Sequence, residues 1–272
     1  MRRSASQTLA AVLAERMGGT SDEVDIADAW HLLLNTDSTT CAEGWYLPPP
    51  HGLAVLIADP PSFDRLNRPS FRSRSAWPSR QHRLSGQALL VAYSSRVNHE
   101  NATIGDMGCT LYFGADQSIK RHLSTVWNIT MRIARLAEPG MSFSQLYRDS
   151  IGIIDASGLR NNIYSISDSN STNVGHTIPW SDRPISAEER TTLKSGDPQT
   201  IADLVSSSRR FISSTEEHIF TETMAFTIEP RLSGPGLPVA TFHVVVSFDR
   251  GDRNIITEFA PLFALTGFEP VD

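Results

Sequence analysis

Apolar residues recur at helical spacing at Leu9, Val12, Leu13 and Met17, and Gly18 and Gly19 break the stripe, which predicts a short helix over residues 5–17. Thr20 with Glu23 fits a capping box, opening a second helix that would bury Ile26, Trp30 and Leu33. His31 in that helix reads as a boundary histidine. Leu53–Ala58 (LAVLIA) and residues 88–94 (ALLVAYS) are short unbroken apolar runs, the pattern of strands covered on both faces. Helical spacing returns over residues 119–137 through Ile119, Leu123, Val126, Trp127, Ile133 and Ala137, closed by Pro139 and Gly140. Ser142 with Gln145 then caps a helix that turns Phe143, Tyr147, Ile151 and Ile154 inward and stops at Gly158. Residues 185–215 read as surface, with 186–190 (SAEER) able to start a helix. Strand character comes back at 219–228. A last strand pair, 239–248 and 254–265, would turn at 249–253 with Gly251 at positive φ.

Residues 59–87 are rich in Pro, Ser and Arg and carry no period. A stretch of that length is a lid, a binding loop or a partner contact. Its arginines, Arg65, Arg68, Arg72, Arg74, Arg80 and Arg83, either grip an anion or face solvent. Residues 160–172 read as polar loop. At 272 residues the chain can bury a sizeable core, and we read residues 1–272 as one domain. The net charge of -6 argues against a general nucleic-acid binder, which needs a basic face. Cys41 and Cys109 are too few for a disulfide framework, so free thiols in a reducing, cytoplasmic setting are expected. Arg2 and Arg3 precede an apolar stretch that Gln7, Glu15 and Arg16 interrupt, a poor signal peptide and too short to span a bilayer. Sequons at Asn101, Asn128 and Asn170 would matter only in a secreted protein. The chain has no G-x-S-x-G, H-E-x-x-H, P-loop or G-x-G-x-x-G.

Candidate chemistry gathers in four stretches. Residues 224–231 (MAFTIEPR) form an apolar run with one carboxylate, Glu229, broken at Pro230, which cannot donate to a sheet ladder. A carboxylate at such a strand end faces water, a partner charge or a metal, because burying it alone is costly. Residues 173–179 (NVGHTIP) set His176 between Gly175 and Thr177. Residues 104–121 (IGDMGCTLYFGADQSIKR) hold Asp106, Gly108, Tyr112, Asp116 and Arg121. Two aspartates on neighbouring strands can bridge two divalent cations. Residues 241–248 (TFHVVVSF) carry His243 in a Val-rich strand, either as a ligand or as a satisfied core histidine.

These stretches resemble the metal-binding strands of the pita-bread family, which holds methionine aminopeptidase, prolidase, aminopeptidase P and creatinase. A G-H-x-I/V-G-like segment there supplies a histidine, matched by His176. An h-T-I-E-P-G segment supplies a glutamate, matched by Glu229. D-x-G, an aromatic and a second aspartate before T-R-T are matched by Asp106, Gly108, Tyr112 and Asp116. Residues 136–147 (LAEPGMSFSQLY) resemble the family's helix–P-G-x-T/S–helix connection, and 20–34 plays the same part earlier. The resemblance runs over roughly residues 5–265 and is strongest at 136–158 and 173–231. It implies an α+β pita-bread fold: a curved, mostly antiparallel sheet with helices on one face, in two pseudo-symmetric halves.

The departures from the family pattern are specific. The Asp106–Asp116 spacing is one residue shorter than usual, and losing one residue from a strand turns every later side chain to the other face. Pro179 stands where the peptidases have glycine. Arg183 replaces a second histidine, and a permanent cation holds anions rather than shuttling protons. Arg231 comes directly after Glu-Pro, where glycine is frequent, and can pair with a substrate carboxylate or with Glu229. His243 matches a second glutamate. The resemblance therefore implies metal ligands among Asp106, Asp116, His176, Glu229 and His243, catalytic work by His176 and Glu229, and substrate contacts from Pro179, Arg183 and Arg231. Imidazole in place of a bridging carboxylate favours one divalent ion, Fe, Mn, Co or Zn, over two. The expected function is that of a metal-dependent, hydrolase-like enzyme acting on a small amino-acid-like or peptide-like molecule. The alternatives are a mononuclear iron oxygenase and a metal-free member, working by creatinase-like proton transfer or kept only for binding, as in the large subunit of the histone chaperone FACT. The expected partner is a small-molecule substrate, with no nucleic acid and no membrane, and a homodimer is left open.

Overall fold

The computed structural model describes residues 1–36, 39–41, 43–67, 70–100, 103–162 and 172–270. Arg68, Asn101, Asn170 and most of the expected polar loop at 160–172 lie outside the described residues. Helices α1 (Arg2–Arg16) and α2 (Glu23–Leu34) precede strands β1 (Leu53–Ala58), β2 (Leu89–Val97) and β3 (Ile104–Tyr112). Helices α3 (Gln117–Leu136) and α4 (Phe143–Ala156) open the second half. It continues with β4 (Arg160–Asn161), α5 (Ala187–Lys194), α6 (Pro198–Ser207), β5 (Thr223–Ile228), β6 (Arg231–Ser233), β7 (Ala240–Thr241), β8 (Val244–Asp249), β9 (Asp252–Ile256) and α7 (Ala260–Thr266).

The strands pair in the orders β1-β2-β3, β4-β6-β7 and β5-β8-β9, antiparallel throughout. Isolated bridges at Cys109–Phe242 and Thr177–Phe226 stitch these sheets and the 173–179 segment together. Each half is thus a helix pair followed by antiparallel strands, the α+β arrangement expected of a pita-bread fold. Helices α1 and α2 pack on β1 and β3, and α3 packs on β7 and β8. Every residue of β1, β2 and β3 is buried, which the unbroken apolar runs of β1 and the first half of β2 predict, while Arg96 and Asp106 are buried among polar neighbours. No helix among the described residues is long and apolar enough to cross a membrane.

Local details correct the sequence reading in several places. Asp22, not Thr20, caps α2, in a reciprocal box with Asp25. Leu34 is buried there while Leu33 points out, and Met17 is exposed. Within the stretch read as surface, Asp197 caps α6, Pro198 takes its first position, and Ile201, Ala202 and Val205 are buried. The last expected strand ends at Ile256, and α7 comes after it. Pro261 lacks the N–H a ladder needs but fits a first helical turn, and Gly267 at φ 63° stops the helix. Residues 59–87 contain no strand, as expected. Two of their arginines serve α2. Arg65 forks onto the fully buried Glu23 at 2.9 and 2.5 Å, and Arg80 reaches Asp22 and Asp25 at 3.3 and 3.0 Å. Arg72 lies over the Tyr46 ring at 4.5 Å, while Arg74 and Arg83 are exposed. His31 is a half-buried boundary residue, stacked on His51.

Candidate metal and substrate site

Four backbone segments converge on one cluster. Asp106 sits on β3 opposite Ser95 of β2, its side chain 1% exposed. His176 comes after Gly175, where a Cβ would lie 1.9 Å from the Thr227 carbonyl oxygen, so only glycine lets this segment lie against β5. The Thr227 N–H donates to the His176 carbonyl at 2.7 Å, and the His176 N–H donates to the Thr227 hydroxyl at 3.0 Å. Glu229 stands where Pro230 interrupts the chain between β5 and β6, and its N–H donates to the Val174 carbonyl at 2.8 Å. His243 lies in the break between β7 and β8, its N–H donating to the Gly108 carbonyl at 2.8 Å. Behind them, the buried Arg2 guanidinium donates to the carbonyls of Asp106 and His243.

The hydrogen-bond pattern leaves a place for a cation. His176 Nδ1 is 2.9 Å from the Thr177 carbonyl, which only accepts, so Nδ1 carries the proton. Nε2 then turns a lone pair toward Asp106 Oδ2 at 3.0 Å and Glu229 Oε1 at 3.7 Å. A lone pair facing carboxylate oxygens is repulsive unless a proton or a metal ion intervenes. Asp106 Oδ1, Glu229 Oε2 and His243 Nδ1 are buried without a hydrogen bond, although His243 Nδ1 lies 3.1 Å from Glu229 and 3.7 Å from Asp106. One ligand atom from each of these three residues lies within 4.8 Å of the others. Imidazole with carboxylate suits a divalent first-row metal, and a metal-bound histidine commonly anchors its other N–H on a backbone carbonyl, as His176 does. The residues present therefore fit a divalent ion. Without a metal, burial pushes the Asp106 carboxyl up, but a proton or positive charge on His176 and His243 outweighs it and holds that group below the usual carboxylate range, the same attraction that a bound cation would supply.

The cluster forms the floor of a cavity of about 80 Å³. Trp45, Tyr46, Phe71, Tyr93 and Phe211 wall it, and Arg209 and Arg231 bring positive charge. Burial lowers Arg231 to about 10, still protonated at neutral pH, and lowers Arg209 as well. Tyr93 is held well above its ordinary value, first by burial and then by the charges of Asp106 and Glu229, so its hydroxyl remains a donor.

Of the residues singled out in the sequence, Asp106, His176, Glu229, His243 and Arg231 meet here. Asp116 does not. It is exposed and caps α3, its Oδ1 accepting from the Ser118 N–H and hydroxyl at 2.7 Å. The strand that would have carried it is absent, because the chain turns after β3 and enters α3 directly. Arg183 is exposed, forked onto Glu189 at 2.6 and 3.0 Å, and borders a separate surface groove. Pro179 is buried and lines neither that groove nor the cavity. Sequence reasoning missed Arg209, Tyr93 and Trp45, which no local motif marks.

The model of metallopeptidase family M24 matches residues 70–247. The chain belongs to this family. Solved M24-like structures share its fold at low identity. Dipeptidase PepE from Mycobacterium ulcerans superposes with a TM-score of 0.59 at 14% identity, over 93% of this chain and 56% of that one. Prolidase from Pyrococcus furiosus gives 0.57 at 15%, over 94% and 61%. Methionine aminopeptidase from Rickettsia prowazekii gives 0.59 at 12%, over 94% of this chain and 95% of its own. The chain thus spans under two thirds of the dipeptidase and the prolidase but nearly all of the aminopeptidase. No curated protein sequence matches it.

Proposed function

We propose that this M24 member is a single-metal, peptidase-like hydrolase acting on a small amino-acid-like or peptide-like molecule. One observation carries the reading. Three would-be ligands, Asp106, Glu229 and His243, crowd together with ligand atoms unsatisfied, and His176 turns Nε2 toward Asp106 and Glu229 beside them, at the floor of a small cavity. Asp116 stands apart, and neutral imidazole at His243 replaces a carboxylate, so the charge that holds a second ion is missing. A divalent ion at such a site supplies Lewis-acid polarisation of a carbonyl and a water acidified toward neutral pH.

The protein's own groups take the remaining roles. Glu229, 13% exposed where Asp106 is 1%, is the carboxylate that reaches the cavity and can accept a proton from water and return it to a leaving amine. Tyr93 offers a neutral O–H to a developing negative oxygen. The buried Arg231 holds a substrate carboxylate. The aromatic walls lower the local polarity, which strengthens each of these contacts. Cavity size argues for a substrate of one or two residues over a long chain.

The test is turnover of small peptides and N-acylated amino acids by metal-loaded protein. Glu229→Gln is expected to lose activity at least about a hundredfold, the scale of a general base, while keeping the fold by circular dichroism. Wild-type protein that takes up metal and cleaves none of these amides contradicts the hydrolase reading. A second reading comes from the two-imidazole, two-carboxylate set, which also suits iron with open positions. In that case the iron-loaded protein consumes oxygen with the substrate instead of water.

A further inference from the structure

A second set of metal-type side chains lies where α2 meets the connection into β1. His31 on α2, Glu43 and His51 each offer one ligand atom, and the three atoms lie within 4.8 Å of one another. The His51 Nδ1–H donates to Glu43 Oε1 at 2.9 Å, and the His31 and His51 rings stack at 3.7 Å. His51 keeps this place with φ at 59°, a left-handed conformation that a histidine holds only where its surroundings impose it.

His31 has a nitrogen to spare. Its Nε2 lies 2.8 Å from the side-chain nitrogen of Asn35, one turn further along the chain, while its Nδ1 is buried without a hydrogen bond. A half-turn of the Asn35 amide sets its oxygen beside Nε2. The Nε2–H then donates to that oxygen, and Nδ1 keeps the lone pair. This is how metal-bound histidines are commonly anchored, one nitrogen on the ion and the other N–H on a neighbouring oxygen. Burial first, and the neighbouring His51 second, lower the His31 pKa, so the ring is neutral at neutral pH and able to ligate.

We infer that His31, Glu43 and His51 form a second divalent-metal site, of the zinc type, apart from the Asp106, His176, Glu229 and His243 cluster. Two imidazoles and one carboxylate are an established ligand set for zinc, with water in the fourth position. The ion takes the place of the proton between His51 and Glu43. The stacked rings are only 19° from parallel, so each turns about its Cβ–Cγ bond to bring a lone pair onto the ion. Such an ion ties α2 to both ends of the turn at 43–51. The Gly44 N–H in that turn donates to the His51 carbonyl at 3.0 Å, and the N–H groups of Trp45 and Tyr46 donate to the Ser95 carbonyl and hydroxyl at 2.9 and 3.1 Å. Trp45 and Tyr46 wall the cavity, so the ion steadies that wall without touching substrate. The side chains of His51 and Glu43 are 36% and 28% exposed, and they must leave an ion pair and a ring stack to bind. Ligands that are not preset hold an ion more weakly than buried ones, so desalting removes this ion and leaves the one on the buried cluster.

The test is calorimetric titration of zinc into the full chain after metal loading and desalting. One further ion per chain is expected, held about tenfold or more weakly in His31→Ala and in His51→Asn. Asparagine is chosen at 51 because it tolerates positive φ. In wild-type protein the same zinc is expected to shift the ring resonances of His31 and His51 and to slow amide exchange over 43–52. This second measurement needs no variant, so a misfolded one does not obscure the answer. No further ion at millimolar zinc overturns the inference, as does an ion that both variants bind as tightly as wild type or one that leaves the two rings unmoved. Should the buried cluster take no metal, the titration still reads this site, so the two claims fail separately.

Discussion

Gly108 has no side chain, and the His243 ring occupies the space where one would be. A Cβ there would meet the ring at 2.6 Å, and the ring cannot retreat without leaving Glu229. Gly108→Ala is therefore expected to weaken metal binding by about 10–100-fold, the usual scale for losing the support of a ligand. Titration with a chelator-buffered metal measures it, and unchanged affinity contradicts the placement of His243. Arg2 acts at the same scale from behind. Its guanidinium satisfies the buried carbonyls of Asp106 and His243, and burial brings its pKa down to about 10, so it stays charged at neutral pH. Arg2→Met leaves those carbonyls without donors, at about 1–3 kcal/mol each. A loss of roughly 2–6 kcal/mol in chemical denaturation is expected; wild-type stability would contradict the account. Residues beside a backbone break were readable in the sequence. Glu229 is flagged by Pro230 and His176 by Gly175, and in both cases the flag has a physical cause in the structure. Arg209, Tyr93 and Trp45 were not readable, because each reaches the cavity from a segment whose own pattern says only "strand" or "loop".

At the scale of elements, the helix expected from residue 119 begins at Gln117 and leaves no strand to carry Asp116. The shortened spacing after Asp106 signalled trouble, and the structure shows its form: α3 starts directly after Asp116, whose side chain caps the helix instead of facing the cluster. Asp116→Ala is expected to cost about 1 kcal/mol, the worth of an N-cap, and to leave metal content unchanged. Thermal denaturation and elemental analysis read the two halves of that statement, and loss of metal would return Asp116 to the site. The helices α1 to α4 and strands β1 and β2 were legible because their apolar periods are long or unbroken. The ending was less so: residues 254–265 alternate well enough to pass for one strand, and only Pro261 and Gly267 betray α7. Of the arginines of residues 59–87, Arg74 and Arg83 face solvent, one of the two expected outcomes, and Arg65 and Arg80 meet neither. Composition shows that charge is present but not that Glu23, buried under the loop, takes Arg65. Glu23→Ala leaves that guanidinium without its carboxylate and is expected to destabilise the fold by about 3–5 kcal/mol, measured by denaturant titration.

At the scale of the molecule, two antiparallel halves bring four short segments to one point. The site is thus carried by strand ends and connections. The core runs through β1 to β3, α3 and α4, and none of the four candidate ligands lies on a helix. Charge at the centre can therefore vary while the packing around it stays intact. The central claim is that one divalent ion binds at Asp106, His176, Glu229 and His243. The most direct measurement is metal content by elemental analysis of untagged protein purified without chelators, and again after reconstitution. The account predicts close to one equivalent per chain, lost in His176→Ala and kept in Asp116→Ala. Two equivalents, or none after reconstitution, would contradict it.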